Sequence, residues 1–79
     1  MKARPVKSKS IVLRSSETIR GELWEVEQCQ DVEGNYLIAE IGTSQIILPD
    51  ENLNWLTEHI GRNISVFRGY KDEYFLKEE

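Results

Sequence analysis

The sequence has almost none of the residues from which catalytic and metal sites are usually built. Cys29 is the only cysteine and His59 the only histidine, which excludes an internal disulfide and a zinc site made of thiolates. A glycine-rich phosphate loop, a His-x-x-x-His pair and a nucleophile elbow are also missing. We interpret Cys29 as a half-buried strand residue and His59 as a solvated helix residue, and we expect no enzymatic activity, no metal and no cofactor.

Long apolar runs are missing as well. No stretch approaches the roughly 18 residues that a membrane span requires, and the apolar run from Ile11 to Leu13 is too short for a secretion signal. A free thiol fits a reducing compartment. We therefore expect a cytoplasmic protein without membrane association.

Basic residues are scarce except at the N-terminus. Six basic residues and one acidic residue in positions 1–20 give a local charge of +5, whereas four basic and 13 acidic residues in the remainder give −9. Residues 1–10 are rich in Lys and Ser, contain Pro5 and lack periodicity, which predicts a flexible basic tail. The tail residues that we consider as contacts for nucleic acid or an acidic partner are Lys2, Arg4, Lys7 and Lys9.

Residues 11–79 suit one small globular domain, because 79 residues leave room for a single modest core. The first long strand is predicted over 18–29, where Gly21 permits a bulge or bend. Strict alternation would place Trp24, Val26 and Gln28 on one face and Leu23, Glu25 and Glu27 on the other.

A polar loop is expected over 30–35, with Gly34-Asn35 as its turn signal. The second strand, 36–41, would direct Leu37, Ala39 and Ile41 into the core and Tyr36, Ile38 and Glu40 outward, since Glu40 should not be buried unpaired. Gly42 to Ser44 predicts a tight hairpin, and the third strand, 45–48, ends at Pro49.

A short helix is predicted to follow, with Asp50 as its N-cap. Leu53, Leu56 and Ile60 would form one apolar stripe, and Gly61 would close the helix in the left-handed conformation. Two more strands are expected over 63–68 and 74–77, the former with Ile64 and Val66 inward.

This β-β-β-α-β-β order resembles the five-stranded barrel of the oligonucleotide/oligosaccharide-binding (OB) fold. The resemblance is one of topology and implies a mostly β protein, a small barrel with one short helix between strands 3 and 4. If Ile11 to Leu13 forms a strand, the chain would have six strands and would resemble an SH3-like small barrel instead.

We expect a non-enzymatic binding module, with a protein partner favoured because most of the chain is acidic. Outward apolar groups such as Ile38, Ile47 and Phe67 would also allow self-association by strand addition. The alternative is a single-stranded nucleic-acid binder using aromatic stacking and cationic groups, although Asp31 and Glu33 would repel phosphate. The candidate binding face comprises Tyr36, Ile38, Phe67, Arg68, Tyr70 and Lys71.

Overall fold

The computed structural model describes residues 10–79, and it confirms a mostly β chain of five antiparallel strands with one short helix between strands 3 and 4. The predicted tail contacts Lys2, Arg4, Lys7 and Lys9 lie outside the described residues. The elements are β1 (Thr18–Asp31), β2 (Gly34–Ile41), β3 (Ser44–Pro49), a 3-10 turn (Asp50–Asn52), α1 (Leu53–Glu58), β4 (Asn63–Arg68) and β5 (Tyr74–Glu78).

The strands form one sheet in the order β3-β2-β1-β4-β5. The long β1 serves both halves, because its residues 18–22 pair with β4 and its residues 23–31 pair with β2. Within residues 10–79 no ladder joins β3 to β5. The sheet is therefore open, and the closed barrel is not confirmed.

A bulge in β1 changes which side chains face the core. The register with β2 shifts between Leu23 and Glu25, so Trp24 is the extra residue. Leu23 is fully buried and Val26 packs on the same core, which leaves Trp24 and Glu25 on the outer face. The predicted strict alternation is wrong here, and the bulge lies at Trp24 rather than at Gly21.

The β1–β2 connection is shorter than predicted. β1 continues to Asp31 and β2 begins at Gly34, so Val32 and Glu33 form a two-residue turn. The predicted loop over 30–35 is therefore wrong, because most of its polar residues lie in exposed strand ends that still pair in the ladder. The predicted tight turn between β2 and β3 is confirmed, with Gly42 at φ +60°.

The core lies on the inner side of the sheet under α1. Leu56 is fully buried and Trp55 packs at its edge, whereas Ile60 is 46% exposed because α1 ends at Glu58. Asp50 does not cap the helix, since it lies within the 3-10 turn. At the N-terminus of α1 itself, Asn52 occupies the N-cap position and makes no side-chain cap hydrogen bond. The inward positions predicted on β2 and β4 are confirmed: Leu37, Ala39, Ile41, Ile64 and Val66.

The segment before β1 runs from β3 to the end of β4. Ile11 forms an isolated parallel bridge to Ile46 of β3, and Ser16 donates its main-chain N–H to the carbonyl of Arg68 at 2.7 Å. Leu13 between them is only 2% exposed. Ile11 to Leu13 thus contributes to the core without forming a sixth strand.

Candidate interaction surfaces

The predicted binding residues do not form one face: Tyr36 and Ile38 lie on the outer side of β2, and Phe67 lies on the outer side of β4. Tyr36 of β2 lies opposite Cys29, whereas Phe67 of β4 lies opposite Thr18. Ile38 lies opposite Glu27, so both β2 residues pair with the part of β1 after its register shift, whereas Phe67 pairs with the part before it. The structure therefore does not bring Tyr36 and Ile38 together with Phe67.

Arg68 makes internal contacts. Its guanidinium donates hydrogen bonds to the main-chain carbonyl of Leu13 and to the carboxylate of Asp72, and it lies 5.7 Å from the centre of the Tyr74 ring. By contrast, Tyr70 and Lys71 are exposed in the β4–β5 loop, with Tyr70 at 82%. Of these loop-side candidates, Tyr70 and Lys71 are the more accessible to a partner.

The outer face of β4, β5 and the first half of β1 carries an exposed aromatic pair. Phe67 and Phe75 are directly opposite each other, 37% and 56% exposed, with ring centres 6.0 Å apart. Arg20 and Lys77 flank the same face, in the row that contains Ser65. We call this set the Phe67–Phe75 surface.

Sequence reasoning missed Phe75. The signal that reveals it is the alternation in β5, where Tyr74 and Leu76 pack against the core and Phe75 and Lys77 point away. Phe75 also lies on an edge strand, because no strand in residues 10–79 pairs with the edge of β5 that faces away from β4. An apolar side chain therefore stands beside unpaired main-chain groups.

The open edge of β5 presents specific N–H groups. The main-chain bonds from Gly69 to Glu73 and from Glu79 to Asn63 show that the odd-numbered residues of β5 face β4. In an antiparallel ladder the even-numbered residues then direct their N–H and C=O groups to the other side. Those residues are Tyr74, Leu76 and Glu78.

The other half of the outer side is acidic. Its ladder rows are Glu25–Glu40–Gln45, Glu27–Ile38–Ile47 and Cys29–Tyr36–Pro49, with Asp31 beyond them. Trp24 joins this side through the bulge. We call these residues the acidic face. Such a surface repels phosphate and favours a cationic partner.

A concavity of about 350 Å³ lies at the hairpin end of the acidic face, lined by Asp31, Glu33, Gly34, Asn35, Tyr36 and Ile47. The charge of the neighbouring Cys29 thiolate is the largest influence on the Tyr36 phenol and raises its pKa, and partial desolvation and the Asp31 carboxylate act in the same direction. Two carboxylates, Asp31 and Glu33, line the concavity beside Tyr36.

His59 packs against the helix rather than standing in solvent as predicted. Its ring stacks on Trp55 with centroids 3.8 Å apart, and its Nδ1 donates to the Trp55 carbonyl at 2.7 Å. Its Nε2 lies 3.5 Å from a carboxylate oxygen of Glu78. These contacts give His59 a role in packing α1 onto the sheet.

Two features are absent from residues 10–79. They contain no group of three or more His, Cys, Asp and Glu side chains placed to hold a metal ion. They also contain no helix of the length and apolarity that a membrane span needs.

Comparison of the chain with known protein families, curated proteins and solved structures finds no match.

Proposed function

We propose that this protein is a non-enzymatic interaction module that binds an extended segment of a partner protein along β5. One observation supports this most directly: Phe67 and Phe75 form an exposed pair, and Phe75 lies on β5, an edge strand. In the described part of the chain, no strand pairs with the edge of β5 that faces away from β4. The element order also supports an OB-like architecture, which we retain as part of the proposal.

Strand addition explains why both features occur together. The main-chain groups of Tyr74, Leu76 and Glu78 would bond to the incoming segment, and every second side chain of that segment would face Phe75. Lys77 follows Phe75 on the same face, and Arg20 lies in the same row as Lys77. In the expected partner segment, every second residue therefore faces this surface, and these residues are apolar or acidic.

A second candidate function is binding of single-stranded nucleic acid by the same surface. Phe67 and Phe75 offer ring faces for base stacking, and Arg20 and Lys77 offer charges for phosphate. The acidic character of the domain opposes this candidate, because the chain has a net charge of −4. An oligonucleotide also has no main-chain donors and acceptors to pair with β5.

Amide hydrogen exchange on the full chain distinguishes the two candidates. Extended peptides selected from a random library on the wild-type protein would be added to the labelled protein, and a mixed-sequence single strand would be added in a parallel sample. Strand addition slows amide exchange at Leu76 and Glu78. Base stacking instead changes the NMR chemical shifts of the Phe67 and Phe75 rings and leaves the exchange rates of the Leu76 and Glu78 amides unchanged. Peptides that bind without protecting β5 would contradict the proposal.

A matched pair of variants controls for the surface. Phe75→Ser removes the exposed ring from the edge strand, while Val32→Ser changes a fully exposed apolar residue in the β1–β2 turn. We expect Phe75→Ser to weaken peptide binding at least tenfold, which corresponds to about 1.4 kcal/mol. Equal binding by the two variants would place the partner elsewhere.

A further inference from the structure

The N-terminal segment enters the sheet beside the acidic face. The Ser10 hydroxyl donates to the side-chain carbonyl of Gln45 at 3.2 Å, and the Gln45 amide donates to a carboxylate oxygen of Glu40 at 3.2 Å. Ile11 fixes this arrangement through main-chain bonds to Gln45 and Ile47 of 2.8 and 2.9 Å. The chain that precedes Ser10 therefore starts from the row Glu25–Glu40–Gln45.

That row combines negative charge with an aromatic side chain. Glu25 and Glu40 are direct cross-strand neighbours, and the bulge places Trp24 beside them on the same side. Gln45 is only 9% exposed although its register position puts it on the outer face. A cation reaching this row would meet two carboxylates and a ring suited to a cation–π contact.

The preceding residues carry the matching charge at the right length. Lys2, Arg4, Lys7 and Lys9 give residues 1–9 four positive side chains and no negative one. Neighbouring strands are about 4.8 Å apart, so Glu40 and Glu25 lie about 5 and 10 Å inward from β3. Five extended residues reach about 16 Å, which is enough for residues 5–9 to cross both.

We propose that the basic segment 2–9 of this chain is the occupant of the acidic face, held over Trp24, Glu25 and Glu40 mainly by charge. This inference concerns the opposite half of the sheet from the Phe67–Phe75 surface and does not depend on the proposed partner. The positive charges that contact Glu25 and Glu40 are then less available to an anionic ligand, and salt should weaken the contact by screening.

NMR on the full-length chain tests the contact. Amide shifts and heteronuclear NOEs of residues 2–9 would be compared at about 0.02 M and about 0.5 M salt, where screening shortens the Debye length to a few ångströms. We expect the NOEs to fall and the shifts of residues 6–9 to change at high salt, together with the Trp24 indole N–H. Tail signals that do not respond to salt would overturn the proposal.

Charge variants separate this contact from a general salt effect. Glu25→Gln/Glu40→Gln should reproduce the high-salt tail signals already at low salt, while the control Glu51→Gln/Glu58→Gln removes the same charge from exposed positions around α1. Equal responses to the two double variants would overturn the proposal. Tail shifts that depend on protein concentration would show that a second copy supplies the segment, and that result would also refute binding within one chain.

Discussion

The guanidinium of Arg68 donates a hydrogen bond to the main-chain carbonyl of Leu13, which links the end of β4 to the segment before β1. The same guanidinium binds Asp72 in the β4–β5 loop. Leu13 itself is buried in the core. One cationic side chain thus links the end of β4 to the loop that follows it and to a segment 55 positions earlier in the sequence. Removing it should therefore affect stability more than its position near a loop suggests.

Arg68→Met should lower the free energy of unfolding by about 1–3 kcal/mol, because it leaves the Leu13 carbonyl and the Asp72 carboxylate without their charged donor. Urea denaturation measures the change. Lys71→Met is the control, since Lys71 is exposed on the neighbouring loop and should change stability by less than about 0.5 kcal/mol. Similar losses in the two variants would mean that the internal contacts of Arg68 contribute little.

Leu13→Ala should cost about 2–5 kcal/mol, as expected when a buried leucine side chain is removed and the cavity closes only in part. The adjacent Val12 is 53% exposed, so Val12→Ala should cost far less. Chemical denaturation of both variants checks the contrast. Equal effects would mean that the segment before β1 is not packed into the core.

Local patterns predicted the parts of the fold in which pairing stays regular. Leu37, Ala39 and Ile41 face the core because β2 alternates without interruption. The bulge at Trp24 could not be predicted, since it depends on where β1 leaves β4 and joins β2. Phe75 was missed for a related reason, because its exposure follows from its place on an edge strand and strand order is a long-range property.

Gly21 shows a similar long-range constraint. A Cβ atom at Gly21 would lie 3.1 Å from the main-chain nitrogen of Gly42 and 3.2 Å from its Cα, although Gly21 lies within β1 and Gly42 lies in the β2–β3 turn. The glycine therefore permits the β2–β3 turn to approach β1, where Gly42 donates its N–H to the Glu22 carbonyl at 2.9 Å.

Gly21→Ala should destabilise the protein by about 1–3 kcal/mol, because main-chain atoms must move to accept the new methyl group. Thermal unfolding measures the loss of stability, and the amide exchange rate of Gly42, compared with that in the wild type, shows whether the β2–β3 turn is affected. We expect faster exchange, since the bond from Gly42 to Glu22 should weaken. A stable variant with an unchanged Gly42 amide would contradict the close approach.

Tyr36 should ionise above its usual pKa of about 10, and the ring carbon shifts of Tyr36 in a pH titration measure this. The Cys29 thiolate is the main cause, so Cys29→Ser should lower the pKa of Tyr36 toward its usual value, while Asp31→Asn should lower it less. Glu58→Gln on α1 is a matched control that removes a distant carboxylate. A Tyr36 titration unchanged by Cys29→Ser would contradict this cause.

The same shift sets a direction for stability at high pH. Because folding raises the pKa of Tyr36, the folded protein keeps this proton after the unfolded chain has lost it. The contribution of Tyr36 to stability is therefore complete below pH of about 10 and is lost as the pH rises through the folded-state value. Tyr36→Phe removes this ionisation, so its unfolding free energy should decline less steeply than that of the wild type over the same alkaline range.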